Sequence, residues 1–155
     1  MKSKGFATAT VRWLRIVAVC AVLTGAVANS LFSQTIRGIA SFYSKRWTGR
    51  LTSSGMPLHH DSMTCAHRTL PFGTLLKVTV DRTGRYVVVR VNDRGPYARG
   101  RILDLSWGAA HKIGITQTGI ARVTAEVITP EEARQLEVKD TLSRWIYSWP
   151  WVEVE

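Results

Sequence analysis

The sequence predicts a single, mainly β domain with short appendages, on three observations. First, Thr35–Tyr43, Leu75–Asp81, Arg85–Asn92 and Gly119–Val127 carry β-branched, partly alternating patterns of the kind that half-buried strands need. Second, Arg82-Thr83-Gly84 joins the second of these to the third tightly enough to make a hairpin. Third, 45 % of the 155 residues are hydrophobic, with 12 Gly and 5 Pro, which suits one packed core and excludes a collagenous, low-complexity or wholly disordered chain.

Taken in order, the chain opens with Lys2, Lys4, Arg12 and Arg15 ahead of the uncharged run Ile16–Ala28. That run is too short to favour a permanent membrane span, so residues 1–28 read as a secretory signal peptide. Ala26-Val27-Ala28 supplies the small residues that signal peptidase requires and predicts cleavage before Asn29, with a site nearer Gln34 as the alternative. A lipid anchor at Cys20 and an uncleaved anchor helix are the other two readings of this segment. All three place the working protein beyond the inner membrane, in the periplasm or cell envelope. Signal cleavage leaves Cys65 as the only thiol, so packing rather than a disulfide holds the domain, and Cys65 reads as a small buried apolar residue.

After the first strands, Ser106–Lys112 reads as a helix capped by Ser106 and stopped by Gly114, packed over a barrel end. Thr129-Pro130-Glu131-Glu132 combines a Thr cap, Pro at the first helical position and Glu three residues after the cap, which predicts a helix to about Lys139. Beyond it, Arg144-Trp145-Ile146-Tyr147-Ser148-Trp149-Pro150-Trp151 is dense in aromatics and reads as a strap over a barrel edge, with sugar stacking or a membrane interface as alternatives. The domain boundaries are therefore 1–28, 36–128 and 129–155.

Charge adds a class of partner. The formal net charge is +10, and Ile36–Ile128 alone holds 14 bases against five acids. Such a domain attracts an anionic polymer. Nucleic acid fits the charge but not a secretion segment, so no nucleic-acid partner is expected. His59-His60, with Asp61 and His67 nearby, invites a metal, but adjacent side chains on an extended chain point opposite ways, so neither a metal nor a cofactor is expected. His111, inside the predicted helix, reads as a surface residue.

The residue with most chemical promise is Asp93, at the point where Val89-Arg90-Val91-Asn92 stops in Arg94-Gly95-Pro96. A carboxyl projecting from a rigid strand end can donate a proton to a substrate oxygen, and it can equally cap its own turn or pair with Arg94. Arg94 should lower its pKa and desolvation should raise it, and desolvation must win for acid catalysis. His67, at the edge of a short turn, can donate to a substrate, orient Asp93 or tie down its own loop. Asp104, just before the predicted helix, reads as a cap or loop pin.

Five blocks occur in order: Gly38-Ile39-Ala40-Ser41-Phe42-Tyr43, Thr52-Ser53-Ser54-Gly55-Met56, Cys65-Ala66-His67-Arg68-Thr69-Leu70-Pro71-Phe72-Gly73-Thr74, Val89-Arg90-Val91-Asn92-Asp93-Arg94-Gly95-Pro96 and Arg101-Ile102-Leu103-Asp104-Leu105-Ser106. Together they resemble the rare lipoprotein A family, septal-ring lytic transglycosylases related in fold to expansins. The resemblance implies a six-stranded double-psi β-barrel over about Ile36–Ile128, acting as a monomer on peptidoglycan glycan strands and leaving 1,6-anhydromuramic acid ends. It makes Asp93 the general acid/base with His67 assisting, and Tyr43, Arg68 and Arg94 groove contacts through ring stacking and donors to muropeptide carboxylates. Met56 departs from the pattern, standing where relatives commonly carry Glu. One carboxylate can serve transglycosylation by acting as acid and then as base, whereas a non-catalytic, expansin-like wall-binding barrel is the reading that Met56 favours.

Overall fold

The computed structural model describes residues 34–147. The signal segment with Cys20, and the tail beyond Tyr147, lie outside the described residues. Six strands close into a barrel in the order β1-β5-β2-β4-β3-β6. In chain order these are β1 (Thr35–Phe42), β2 (Thr64–Ala66), β3 (Leu75–Val80), β4 (Tyr86–Asp93), β5 (Arg101–Leu105) and β6 (Ala121–Ile128). Helix α1 (Trp107–Lys112) lies between β5 and β6, and α2 (Pro130–Tyr147) follows β6. This is the double-psi architecture, with β1·β5 and β2·β4 parallel and the remaining pairs antiparallel.

Alternation explains the core. In β3 and β4 every second residue (Leu76, Val78, Val80; Val87, Val89, Val91) is buried, and β5 and β6 add Leu103, Leu105, Val123 and Ala125. Strands whose inward face is β-branched or Leu fill a six-stranded barrel with side chains rather than with water. The hairpin between β3 and β4 is present, with Gly84 N–H donating to Val80 C=O at 2.9 Å.

Two strands have no counterpart in the sequence-based reading. β2 is three residues long, and β5 is only five with a half-buried Arg and Asp in it. Neither is long enough for periodicity to register, and both exist because parallel and antiparallel neighbours clasp them on each side. Asp104 consequently sits within β5, not at a helix start. Ser106 is the cap of α1, accepting from Ala109 N–H at 3.3 Å, and Gly114, with φ near 77°, follows the helix end.

Helix α2 begins as predicted. Thr129 Oγ1 accepts from Glu132 N–H at 3.2 Å, and Glu132 Oε2 accepts back from Thr129 N–H at 2.7 Å. That reciprocal cap holds the Glu132 carboxyl below its usual pKa, chiefly through the Thr129 N–H. The helix runs to Tyr147, eight residues beyond the predicted end at Lys139. No Gly or Pro interrupts 131–147, so nothing local stops it where the apolar spacing fades. Among the described residues no helix is long and apolar enough to cross a membrane.

Candidate functional site

β4 ends at Asp93 because Gly95 takes φ near 127°, which side-chain-bearing residues avoid, and Pro96 lacks the N–H that a ladder needs. β2 meets β4 with a register shift between Cys65 and Ala66, which sets Ala66 opposite Asp93. Ala66 is also opposite Asp104 of β5, and Asp104 is opposite Ser41 of β1. Asp93, Ala66, Asp104 and Ser41 thus form one row across four strands. At the strand spacing of about 4.8 Å, the two aspartates are roughly 10 Å apart at their Cα atoms.

The Asp93 carboxylate collects four donors. Oδ1 accepts from Ser53 N–H at 2.8 Å, Ser53 Oγ at 2.7 Å and Arg94 N–H at 2.8 Å, and Oδ2 accepts from Tyr43 Oη at 2.7 Å. Burial pushes its pKa up, but the Tyr43, Ser53 and Arg94 hydrogen bonds outweigh burial and hold it below the usual Asp value. The condition for acid catalysis, that desolvation prevail, is therefore not met in the ligand-free protein, where these hydrogen bonds favour the carboxylate. Arg94 also acts differently from expectation. Its guanidinium lies over the Phe72 ring at 3.8 Å and its Nη1 donates to the carbonyls of His67 (3.3 Å) and Leu70 (2.8 Å), so only its main-chain N–H serves Asp93.

Tyr43, expected as a stacking surface, spends its hydroxyl on Asp93. Burial first, and then Asp93 itself, raises the phenol pKa, so it stays a protonated donor. A group whose folded pKa is depressed stabilises the fold above its unfolded pKa and loses that contribution as pH falls through the folded value. Tyr43→Phe should move the Asp93 midpoint upward in a carboxyl ¹³C titration and shrink the contribution at neutral pH. An unmoved midpoint would show that the phenol does not hold the carboxylate.

His67 follows β2 directly and is buried. Its Nδ1 accepts from Thr69 N–H (3.2 Å) and Leu70 N–H (3.0 Å), so the ring pins its own loop and carries its proton on Nε2. Burial, then Arg94 and Arg68, lower its pKa and keep it neutral. It meets Asp93 through the main chain, His67 N–H donating to Asp93 C=O at 3.2 Å. Arg68 staples the loop after β4: Nε donates to Pro96 C=O at 2.6 Å, and Nη2 to Ala98 and Arg101 C=O at 3.1 and 3.2 Å. Only the Nη1 pair of its five donors is left for a ligand.

Ser53 is the site residue that sequence reasoning missed. It lies in a turn closed by Thr52 N–H to Met56 C=O (2.9 Å) and Gly55 N–H to Thr52 C=O (2.9 Å), with Ser54 N–H reaching Asn92 C=O (3.2 Å). Its signals were the hydroxyl residues before Gly55 and its place in the Thr52–Met56 block. Met56, in the same turn, is 57 % exposed.

The other candidates sit apart from this group. Asp104 Oδ1 accepts from Ser41 Oγ and lies 4.0 Å from Arg101 Nη1, pinning strand to strand rather than capping a helix. Cys65 is fully buried, and burial pushes its thiol pKa up, so it is no nucleophile. His60 contacts Thr48 Oγ1 and presents an edge to Trp107, while exposed His111 stacks on Trp107 with centroids 4.9 Å apart. Among the described residues no group of three His, Cys, Asp or Glu could hold a metal.

A family described as lytic transglycolase matches residues 35–125. Similar proteins include the endolytic peptidoglycan transglycosylase RlpA of Vibrio cholerae, 52 % identical over 98 residues, covering 63 % of this chain and 37 % of that protein. A probable endolytic peptidoglycan transglycosylase RlpA of Synechocystis is 47 % identical over 118 residues, covering 73 % and 37 %. The chain thus spans well under half the length of these relatives. Among solved structures, an expansin of Clavibacter michiganensis without ligand superposes with a TM-score of 0.51 at 28 % identity, covering 63 % of this chain and 52 % of that one. A mutant of that expansin in complex with cellohexaose gives 0.50 at 25 %, covering 62 % and 51 %.

Proposed function

The chain belongs to the lytic transglycolase family, and on that premise we propose that its barrel cleaves peptidoglycan glycan strands by lytic transglycosylation, with Asp93 as the single acid/base. The observation that carries this reading is a carboxylate at a rigid strand end, held by Tyr43 and Ser53 from two other segments. The curated relatives that share about half of the aligned residues are named for that activity.

The chemistry needs Asp93 protonated at the outset. A bound glycan displaces water from the mouth, adding to the burial that already opposes the charge. The acid then gives its proton to the glycosidic oxygen as the C1–O bond breaks. The resulting carboxylate takes the proton of the muramic acid 6-hydroxyl as that oxygen bonds to C1, which regenerates the acid and leaves a 1,6-anhydro end without consuming water. Tyr43 and Ser53 stabilise the carboxylate stage. His67 supports the site by fixing the loop 67–70 against β4, with Nε2–H as a donor, and Arg68 and Arg94 shape the adjoining loops.

A second reading, a non-catalytic wall-binding barrel, rests on Met56 and on the likeness to an expansin. Incubation of mature protein with purified sacculi separates the two: soluble anhydromuropeptides support cleavage, and polymer binding without soluble product selects the second. Binding itself should weaken as salt rises, because the exposed bases among the 14 of Ile36–Ile128 attract wall anions through water and are screened within about 10 Å at 0.1 M. Salt-independent binding from the outset would contradict an electrostatic contribution.

The basic and apolar leader and the nature of the polymer support a reading in which the protein works in the cell envelope, and we propose that it does so as a monomer. Intact mass of protein extracted from envelopes should show residues 1–28 removed. A species retaining Met1, or lipidated at Cys20, would refute that cleavage.

A further inference from the structure

Helix α2 carries the chain toward a cationic cleft. Its first turns lie beside the later part of β4, Ala133 and Arg134 sharing a hollow with Arg90, and further along Leu136 and Asp140 share one with Tyr86 and Lys112. The helix therefore runs from the Asp93 end of β4 toward the β3–β4 hairpin. Asp140 Oδ2 meets Lys112 Nζ at 3.1 Å where α1 ends, and the next residue, Ile113, belongs to the cleft.

That cleft, of about 420 Å³, opens between the hairpin and the segment that leads from α1 into β6. Its floor is aliphatic, made by Val80, Ile113 and Ile115 with the half-exposed Ile120 at its lip. Arg82 and Arg122 stand on its rim, both exposed, and exposed Arg85 reaches over Gly114, its Nη1 lying 2.9 Å from where a Cβ on Gly114 would stand. Among the described residues none of these three guanidiniums makes an ion pair or a side-chain hydrogen bond. Asp81, on the same rim, accepts from Thr124 Oγ1 at 2.8 Å. Three like charges around an apolar floor favour an occupant that is acidic and aliphatic at once.

Residues 148–155 have that character. They hold Glu153 and Glu155 and no base, and Val152-Glu153-Val154-Glu155 alternates, so an extended chain sets both valines on one side and both glutamates on the other. Trp149 precedes Pro150, a step that disfavours helix and favours extended backbone. The segment also has the reach. From Asp140 to the end of α2 at Tyr147 the helix advances about 10 Å, whereas eight extended residues span up to about 26 Å.

We propose that residues 148–155 dock in this cleft, Val152 and Val154 against the isoleucine floor and Glu153 and Glu155 paired with the rim arginines. A segment tethered this closely meets its site at an effective concentration on the order of millimolar, so two exposed ion pairs and two small apolar contacts suffice to hold it. The strap that the aromatic tail suggests then lies over the hairpin end of the barrel. Asp93 is at the other end of β4, up to about 24 Å from Tyr86 along an extended strand, so the docking does not depend on the catalytic reading.

Methyl NOEs in the mature protein, tail included, test this. Cross-peaks should link the methyls of Val152 and Val154 to those of Ile113, Ile115 and Ile120. Glu153→Lys/Glu155→Lys should weaken them roughly fivefold or more, since two ion pairs become two repulsions. Adding Arg82→Glu/Arg122→Glu to that chain should bring them back, because the pairs re-form with their charges exchanged. Both arginines are exposed, and unchanged shifts of the buried Leu76 and Val89 methyls verify that the fold is kept. Absence of the cross-peaks in the parent, indifference to the charge reversal, or no recovery in the exchanged chain would each overturn the proposal. So would cross-peaks from the tail valines to the exposed Val138 and Leu142 of α2 instead, or cross-peaks that arise only between differently labelled copies in a mixed sample.

Discussion

Asp93→Asn should lower anhydromuropeptide release from sacculi by about 10²-fold or more, with folding and sacculus binding retained. The geometry explains why this substitution is clean. An asparagine Oδ1 can still accept from Ser53 and Arg94, and Tyr43 Oη can rotate to accept from the new Nδ2 where it now donates to the carboxylate. The turn therefore survives, and only the proton cycle is removed. Release at the parent rate would sink the mechanism. Met56→Glu should raise the parent rate, because it places a carboxylate on the turn that also carries Ser53, and it should not rescue Asp93→Asn. A parent that is inactive and gains activity only through Met56→Glu would identify a binding barrel descended from an enzyme.

Leu103→Ala should cost about 2–5 kcal/mol of stability, because Leu103 is fully buried in the middle of β5 and the barrel wall around it is clasped on both sides. At roughly 4–8 °C per kcal/mol for a domain of this size, the thermal midpoint should drop by on the order of 10 °C or more. The conservative Leu103→Ile should cost under about 1.5 kcal/mol. A thermal midpoint for Leu103→Ala within a degree or two of the parent would mean that the barrel interior is not packed as described. The effect should reach the site as well. Tyr43 N–H donates to Leu105 C=O at 2.9 Å, so loosening β5 loosens the residue that holds Asp93.

Long strands and helix caps were legible in the sequence because they are written locally. β1, β3, β4 and β6 follow from alternation, and the caps of both helices follow from one or two residues each. β2 and β5 were not, since three and five residues carry too little pattern and their pairing comes from strands far away in the chain. Much the same division holds at the site. Asp93 at a strand end was readable from the Gly95-Pro96 stop. Its protonation balance was not, because that depends on Tyr43 and Ser53, which lie 50 and 40 residues away in sequence. The roles of Arg68 and Arg94 escaped for the same reason: a sequence shows a charge, and only the fold shows that backbone carbonyls already occupy it.

The parallel pairing of β1 with β5, and its antiparallel pairing with β6, set the order in which this chain can become a protein. β3 and β4 can zip locally, but β1 must wait for partners that begin at Arg101 and Ala121. Chains dominated by such distant pairings fold in milliseconds to seconds rather than microseconds. Tyr43 follows β1 and meets Asp93 only once that late closure is made, so a nascent or partly unravelled chain lacks the phenol that holds the carboxylate.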